Sequence, residues 1–278
     1  MNAPLPMSVH EAPASYQAKL SGFNLALNQP DRGLFLYHGN CIEVMEAIAA
    51  KHPNGCFDLI FADPPYGLSN DGFTCVAGRM VSVNKGEWDR ASDPQQFSLF
   101  TREWLSLCQR LLTKDGSLWV SGTRHNIFTI GHVMGELGFR VLNDIIWEKP
   151  NPPPNLSCRY FTHSTEIILW AAKNQKSKHH FNYADMRAEN GGKQMKSVWR
   201  FLPPGPAEKK HGKHPTQKPV ALLQRIISAA TKPGAFVFDP FSGSSTTGVA
   251  ALSLDRSFCG VDSEQDFIEL SKKRLGYP

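Results

Sequence analysis

The chain has 278 residues, which suits one large core or a core with a smaller appended lobe, and its net charge of +5 with a pI near 8.9 is only mildly basic. No apolar run reaches the roughly 20 residues of a membrane helix, and residues 1–33 lack the apolar segment of a signal peptide, which excludes a membrane protein and predicts a cytoplasmic one. The six cysteines form no CxxC pair and no zinc-like spacing, which predicts reduced thiols and no metal site.

Residues 1–33 are rich in Ala, Pro and Asn with little apolar periodicity, which predicts a mobile tail or a loosely docked arm. From residue 34 onward, short apolar runs alternate with helical stretches, and this alternation predicts a largely parallel sheet covered by helices. Strands are predicted at residues 34–40, 56–63, 117–122, 139–150, 164–173, 235–241 and 257–262, the one at 164–173 being antiparallel. Helices are predicted at residues 44–52, 94–112, 125–138, 218–234, 246–254 and 264–275.

Residues 174–213 have no clean period, so they are predicted to be an insertion with local structure only, which divides the core into residues 34–173 and 214–278. The stretch from Lys173 to His214 holds ten Lys and Arg against three acids, a charge of +7 that leaves −2 for the rest of the chain. A basic block on a near-neutral body indicates a polyanion partner, because Lys and Arg displace condensed counterions from phosphates. A solvated loop is the alternative interpretation.

A turn of small residues follows the strand at 235–241. The stretch FDPFSGSSTTGVAAL (238–252) has the order strand, tight turn, helix, in which Gly243 allows close backbone approach. It is neither a dinucleotide fingerprint nor a P-loop. Asp262 lies about twenty residues further on, at the next strand end, where an acid can bind ribose hydroxyls. Together these features predict a nucleoside cofactor, with a purely structural turn as the alternative.

The second informative strand end carries DPPY, residues 63–66. Two prolines fix φ and cannot donate, so the Pro64 carbonyl is held outward as an acceptor beside the Asp63 carboxylate, and Pro65 and Tyr66 follow. Two acceptors and a stacking ring suit an exocyclic amine on a planar base. A proline turn with a capping Asp is the alternative.

The order of these motifs resembles that of the β-class amino-methyltransferases of DNA: DPPY first, then an insertion, then HPTQKP (214–219), then the cofactor turn. The resemblance implies a class I S-adenosylmethionine-dependent methyltransferase fold. That fold is α/β and Rossmann-like, with a mostly parallel sheet and one antiparallel strand, and here it is circularly permuted and carries a target-recognition insertion. The stretches FADPPYGLSNDG, NPPPNLSCRYFTHSTEIILWA and GKHPTQKP are similar to DpnA-like adenine methyltransferases of restriction systems, which accept single-stranded and duplex DNA and act at GATC.

The resemblance further implies S-adenosyl-L-methionine as cofactor and adenine N6 as methyl acceptor. By position, the turn would hold the methionine end, Asp262 the ribose, and Lys218 would lie near the cofactor carboxylate. The implied cofactor contacts are Asn40, Cys41, Asp63, Lys218, Phe241, Ser242, Gly243, Ser244, Ser245, Asp262 and Ser263. The family turn usually has glycine where this chain has Ser245, so a positive φ there would cost strain and lower cofactor affinity.

Base flipping and DNA binding complete the implied mechanism. Residues 67–89 are predicted to form a lid over the flipped base, with a plain surface loop as the alternative. The predicted DNA contacts are Lys85, Arg159, Tyr160, Lys193, Lys196, Arg200, Lys209, Lys210 and Lys213.

The leading hypothesis is therefore a site-specific DNA adenine-N6 methyltransferase. Cytosine-N4 transfer is the nearest alternative, although relatives of that kind more often carry Ser in place of Asp63; RNA as substrate is a third. An inactive DNA-binding module on the same fold is the alternative from another class, and only Ser245 favours it. The expected partners are DNA, a second copy of the chain, and a cognate restriction endonuclease or second methyltransferase.

Overall fold

The computed structural model describes residues 22–65, 73–76, 79–82 and 94–277. The strands are β1 (Asn24–Gln29), β2 (Leu34–His38), β3 (Phe57–Ala62), β4 (Phe73–Val76), β5 (Arg79–Ser82), β6 (Leu112–Gly122), β7 (Arg140–Glu148), β8 (Thr165–Ala172), β9 (Val198–Arg200), β10 (Phe236–Asp239) and β11 (Ser257–Asp262). The helices are α1 (Cys41–Lys51), α2 (Pro94–Leu111), α3 (Ile127–Glu136), α4 (Tyr183–Glu189), α5 (Val220–Ala230), α6 (Thr246–Leu252) and α7 (Gln265–Arg274). Short 3-10 helices cover Pro30–Arg32 and Ala207–Lys209.

Nine strands form one sheet in the order β1-β2-β11-β10-β3-β6-β8-β7-β9, and β4 pairs with β5 in a separate hairpin. Strands β2, β11, β10, β3 and β6 are parallel, whereas β8 is antiparallel to both of its neighbours. The prediction of a mostly parallel α/β sheet with an antiparallel strand at 164–173 is confirmed. We call the edge formed by the carboxyl ends of the parallel strands the upper edge, and the opposite one the lower edge.

Both faces of the sheet are covered, because successive side chains along each buried strand enter different cores. Ile60 of β3 packs with helices α1, α2 and α3, whereas Leu59 and Phe61 pack with α5, α6 and α7. Helix α5 buries Leu222, Leu223, Ile226 and Ile227 on one face, the spacing of an amphipathic helix.

The sheet has a topological switch point between β10 and β3. These strands are neighbours, with Val237 opposite Leu59 and Phe238 opposite Ile60. From β10 the chain moves to β11 on one side, and from β3 it moves to β6 on the other. Ligands of open α/β sheets bind at the carboxyl ends of strands at such a point.

Within the stretch at 1–33 predicted to be a mobile tail or a loosely docked arm, residues 24–32 are docked, because they form β1 and a 3-10 helix. Strand β1 pairs antiparallel with β2 as an edge strand and is a second antiparallel strand beside the predicted one. In β1 Leu27 alone is buried. Leu25 and Ala26 pack only partly against the two cores, so the strand leaves little apolar period in the sequence.

The basic insertion also differs from the prediction of local structure only. Strand β9 joins the main sheet beside β7, and its middle residue Trp199 packs with its ring centroid 6.3 Å from that of Trp119. The insertion begins at the lower edge, where the amide of Lys178 donates to Asp115 at 2.8 Å, and climbs along β7 to Arg200. Its charges are thus spread over the height of the sheet.

In the part of the chain that is described, no helix is both long and apolar enough to cross a membrane. The same residues hold no group of three or more His, Cys, Asp or Glu that could bind a metal ion.

Candidate active site

A cavity of about 220 Å³ lies at the upper edge, at the switch point. The ends of β2, β3, β10 and β11 line it together with the segment from His214 to Lys218. Ten of the eleven predicted cofactor contacts line it: Asn40, Cys41, Asp63, Lys218, Phe241, Ser242, Gly243, Ser244, Asp262 and Ser263. Two sequence motifs separated by most of the chain therefore share one cavity.

The turn after β10 needs a glycine at position 243. Gly243 has φ 53°, in the left-handed region, and a Cβ there would approach His214 Nε2 to 3.0 Å. Its amide donates to Asp262 Oδ2 at 2.7 Å, and its carbonyl accepts from Ser271 Oγ at 2.9 Å. The turn is therefore held on one side by β11 and on the other by α7.

Ser245 does not line the cavity, in contrast to the contact implied by the resemblance. It is fully buried with φ 54° and ψ 40°, and its hydroxyl shares a 2.8 Å hydrogen bond with the Ser242 hydroxyl. The expected positive φ is present, and a buried serine pair accompanies it. Ser245 therefore shapes the turn and does not contact a ligand in the cavity.

Arg274 supports the same turn from the last residue of α7. Its Nη1 donates to the Ser244 carbonyl and hydroxyl, both at 2.6 Å, and to Thr246 Oγ1 at 2.9 Å. Arginine suits this role because its donors have a fixed geometry. The sequence pattern did not single out Arg274, since a basic residue in the last helical turn is expected on any helix.

Two carboxyls of the cavity have raised pKa values. Burial raises the pKa of Asp262 to about 6, although the amides of Glu264 and Gly243 donate to it and lower it in part. Burial raises the pKa of Asp239 to about 7. Hydrogen bonds from Thr247 Oγ1 at 2.5 Å and Phe241 N at 3.0 Å lower that pKa in part. Both groups therefore titrate close to neutral pH.

Asp63 stands directly beyond β3, and its side chain, which is 12% exposed, lines the cavity beside Pro65. Lys218 Nζ donates to Asp63 Oδ2 at 2.5 Å. The resemblance had implied that Lys218 lies near the cofactor carboxylate, whereas here it contacts the carboxylate of DPPY. Pro64, between Asp63 and Pro65, is buried. Tyr66, Lys85 and most of the predicted lid at 67–89 lie outside the described residues.

The cavity is also lined by residues that were not predicted as contacts, among them His214, Thr216, Phe100 and Phe267. The His214 ring lies 4.3 Å, centroid to centroid, from that of Phe267, and its Nδ1 accepts from the Thr216 amide at 3.3 Å. Phe100 of α2 contacts Phe241, with 6.3 Å between ring centroids. HPTQKP pointed to His214 and Thr216, whereas no motif marks Phe100 or Phe267.

The predicted DNA contacts fall into two groups. Arg159 and Tyr160 lie in the exposed segment between β7 and β8 at the upper edge, and Arg200 ends β9 there, 3.8 Å from Glu148. Lys209, Lys210 and Lys213 precede His214 and reach the same edge.

Lys193 and Lys196 form the second group, which the structure separates from the cavity. Their neighbours Gln194 and Met195 lie against Leu142 and Asn143, in the lower half of β7. The basic residues of the insertion are therefore not gathered in one cluster beside the cavity.

Comparisons with known proteins agree with this architecture. Residues 57–273 match the N6_N4_Mtase family, described as DNA methylase. The chain is 50% identical over 244 residues to the type II methyltransferase M2.MboI of Moraxella bovis, covering 88% of each chain. It is 52% identical over 219 residues to the type II methyltransferase M2.DpnII of Streptococcus pneumoniae, covering 78% of this chain and 82% of that one.

Two solved structures are also similar. The M1.HpyAVI–SAM complex is 30% identical with a TM-score of 0.66, covering 87% of this chain and 99% of that one. The cytosine-N4-specific PvuII DNA methyltransferase, at 19% identity and a TM-score of 0.69, covers 87% of this chain and 86% of that one and shares the fold. The family match spans most of the chain and includes both motifs that meet in the cavity. The protein therefore belongs to the N6_N4_Mtase family of DNA methylases.

Proposed function

We propose that the protein transfers a methyl group from S-adenosylmethionine to adenine N6 in DNA, at GATC. The observation that carries this proposal is that one cavity is lined both by Asp63 and by the turn at Gly243, whose amide is hydrogen-bonded to Asp262. One end of the cavity offers a carboxylate suited to an amine, and the other a carboxylate suited to ribose hydroxyls.

The residues present fit this cofactor. Gly243 leaves a space that a side chain would fill, and Asp262 beside it presents its carboxylate at a strand end. The carboxyls of Asp63, Asp239 and Asp262 surround the cavity, as suits a cationic sulfonium ligand. When bound, S-adenosylmethionine supplies an electrophilic methyl group.

Asp63 and the Pro64 carbonyl accept the two hydrogens of the target amine in this mechanism. The amine lone pair, normally delocalised into the ring, is then directed toward the methyl group, and most of the rate gain comes from this positioning. The amine loses its extra proton after the transfer rather than before it, to the Asp63 carboxylate that already accepts its hydrogen bond. The base must first leave the DNA stack, which costs a few kcal/mol, and Tyr66 offsets about 1–3 kcal/mol of that by stacking.

Adenine is favoured over cytosine by Asp63 itself, since cytosine-N4 enzymes more often carry serine there. The similar type II methyltransferases at 50% and 52% identity support the same assignment. The cytosine-specific structure shares only the fold, at 19% identity. GATC, acceptance of single-stranded DNA, a homodimer and a cognate endonuclease are proposals that rest on the sequence resemblance. The proposed compartment is the cytoplasm, where bacterial DNA lies.

The test is expression in a bacterial host that lacks its own DNA methylation. Polymerase kinetics gives the modified motif genome-wide, and mass spectrometry of digested nucleosides separates N6-methyladenine from N4-methylcytosine. We expect N6-methyladenine confined to GATC. N4-methylcytosine, or no modified base, would overturn the proposal.

Asp63→Asn is the matched variant because it keeps the size of the side chain and removes the charge. We expect it to lower methyl transfer at least about 100-fold, the order of effect that misplacing a reacting group produces. Asp31→Asn, at an exposed position of the first 3-10 helix, is the control and should methylate like the wild type. Wild-type activity in Asp63→Asn would refute the role given to Asp63.

A further inference from the structure

Asp63 begins a chain of four charged side chains at the upper edge of the sheet. Lys218 donates to Asp63 at 2.5 Å and lies 3.5 Å from Glu166 Oε2, and Lys149 donates to Glu166 Oε1. Ser121 Oγ is also 3.5 Å from Glu166 Oε2. The signs of the four charges alternate from Lys149 to Asp63.

The antiparallel strand β8 explains how Glu166 reaches this place. Because β8 runs against its neighbours, its first residues lie at the upper edge, where β3 and β6 end. Thr165, beside Glu166, is opposite Glu148, the last residue of β7, and Lys149 follows there. A parallel strand in this position would present its carboxyl end instead.

Burial makes this arrangement costly unless the charges compensate one another. Lys218 is 6% exposed and Glu166 8%. Burial alone would lower the pKa of Lys218, but Asp63 and Glu166 beside it raise that pKa above its usual value. Burial alone would raise the pKa of Glu166, but Lys218 and Lys149 lower it below its usual value. Both groups are therefore charged at neutral pH.

Glu166 is not among the described residues that line the cavity, so its influence on the reaction passes through Lys218. An ammonium held between two carboxylates has one favoured position, and it fixes Asp63 Oδ2 in turn. We propose that Glu166 is a positioning residue for methyl transfer: it fixes Lys218 against Asp63, and Lys149 balances its charge. This inference rests on the proposed function, because it concerns how Asp63 meets the amine.

The first test measures single-turnover methyl transfer from labelled cofactor to total DNA, which does not depend on the identity of the base or the site. Glu166→Gln keeps the shape and removes the charge. We expect its rate constant to fall about 10- to 100-fold, the order of effect for a misplaced reacting group. The dissociation constants for cofactor and DNA should change by less than about threefold. Glu166→Asp should recover part of the rate.

Two further variants guard against a folding defect. Lys149→Met/Glu166→Gln removes one charge of each sign, so the buried site stays balanced, and it should lose the rate as Glu166→Gln does. Glu136→Gln, which breaks an exposed ion pair with Arg102, should keep the wild-type rate. A double variant with the wild-type rate would overturn the inference.

The pH profile separates positioning from a merely structural role. Losing Glu166 removes one of the two carboxylates that raise the pKa of Lys218, whereas burial still lowers it. The alkaline decline of the single-turnover rate should therefore move to lower pH in Glu166→Gln and disappear in Lys218→Met. A decline at the wild-type pH in Glu166→Gln would refute the coupling.

The outcomes also separate this inference from the proposed function. A wild-type protein that methylates no DNA overturns both. A wild-type protein that methylates DNA, with a Glu166→Gln variant of equal rate, overturns the positioning role alone. Methylation of cytosine or of a different sequence overturns the proposed target and leaves the role of Glu166 standing.

Discussion

The amide of Gly243 donates a 2.7 Å hydrogen bond to the carboxylate of Asp262, so the turn after β10 is tied to the end of β11. The same carboxyl is expected to bind the cofactor ribose. Because burial raises its pKa to about 6, its charge is lost within the range in which the protein can be studied.

Cofactor affinity should therefore depend on pH. The ionised Asp262 is the better acceptor for hydroxyls, so binding lowers its pKa, and affinity should be constant above about pH 6 and fall as the pH drops below it. Calorimetric titrations between pH 5 and 8 would measure this. Asp262→Asn should bind more weakly and lose the dependence near pH 6, and Asp239→Asn identifies any separate step near pH 7. A flat profile in the wild type would contradict the assignment.

Two substitutions at Ser245 separate its strain from its hydrogen bond. Ser245→Ala keeps the left-handed φ and removes the bond to Ser242, so it should lower the free energy of unfolding by about 1–3 kcal/mol. Ser245→Gly also relieves strain of about 1 kcal/mol or more, so it should be closer to the wild type. Urea denaturation measures both. Equal stabilities of the Ala variant and the wild type would show that the serine pair contributes little.

Removing lysine charges should weaken DNA binding at the upper edge of the sheet and have little effect at the lower edge. Lys210→Gln/Lys213→Gln removes two exposed charges at the upper edge, and the slope of log affinity against log salt should fall by about two. Lys176→Gln/Lys178→Gln removes two exposed charges of the same segment at the lower edge and is the control. Fluorescence anisotropy over a salt series measures the slopes. Equal effects of the two pairs would mean that the segment acts only through its net charge.

Tyr160 and Phe161 should contact bases. Their side chains are 59% and 96% exposed at the upper edge, beside the hydrogen-bonded pair Arg124 and His163. Replacing either aromatic residue by Ala should weaken binding of single-stranded DNA by about 1–3 kcal/mol, the range for one stacked base, with little change in thermal stability. The control is Tyr183→Ala, an exposed tyrosine at the start of α4. Loss of stability without loss of binding would assign the aromatics to packing.

The sequence predicts those parts of the site that depend on which residue comes next after each strand. Asp63 and Gly243 follow apolar strands and Asp262 ends one, and the carboxyl ends of parallel strands meet at one edge. Their place in the site therefore follows from the sequence, and the alternation of strands and helices predicts the fold class.

Features that depend on contacts across the sheet were not predicted. Glu166 begins a strand among polar residues, where an exposed carboxylate is the ordinary expectation, and only the antiparallel course of β8 brings it to Lys218. Strand β1 carries too few buried side chains to show a period. Lys193 lies near the lower half of β7 because β9 pairs with β7, and the amino-acid composition of the insertion gives no sign of that pairing.

The strand order also constrains how the protein folds during synthesis. Strands β2 and β3 come early in the chain, yet β11 and β10 lie between them. A nascent chain that ends before residue 236 therefore has a gap two strands wide in its sheet, with apolar strand edges open to solvent. Closing that gap requires pairing residue 59 with 237 and residue 34 with 258, and such non-local contacts form slowly. The cavity exists only once the gap closes, so partial chains have no active site and are the species most exposed to aggregation and most dependent on chaperones.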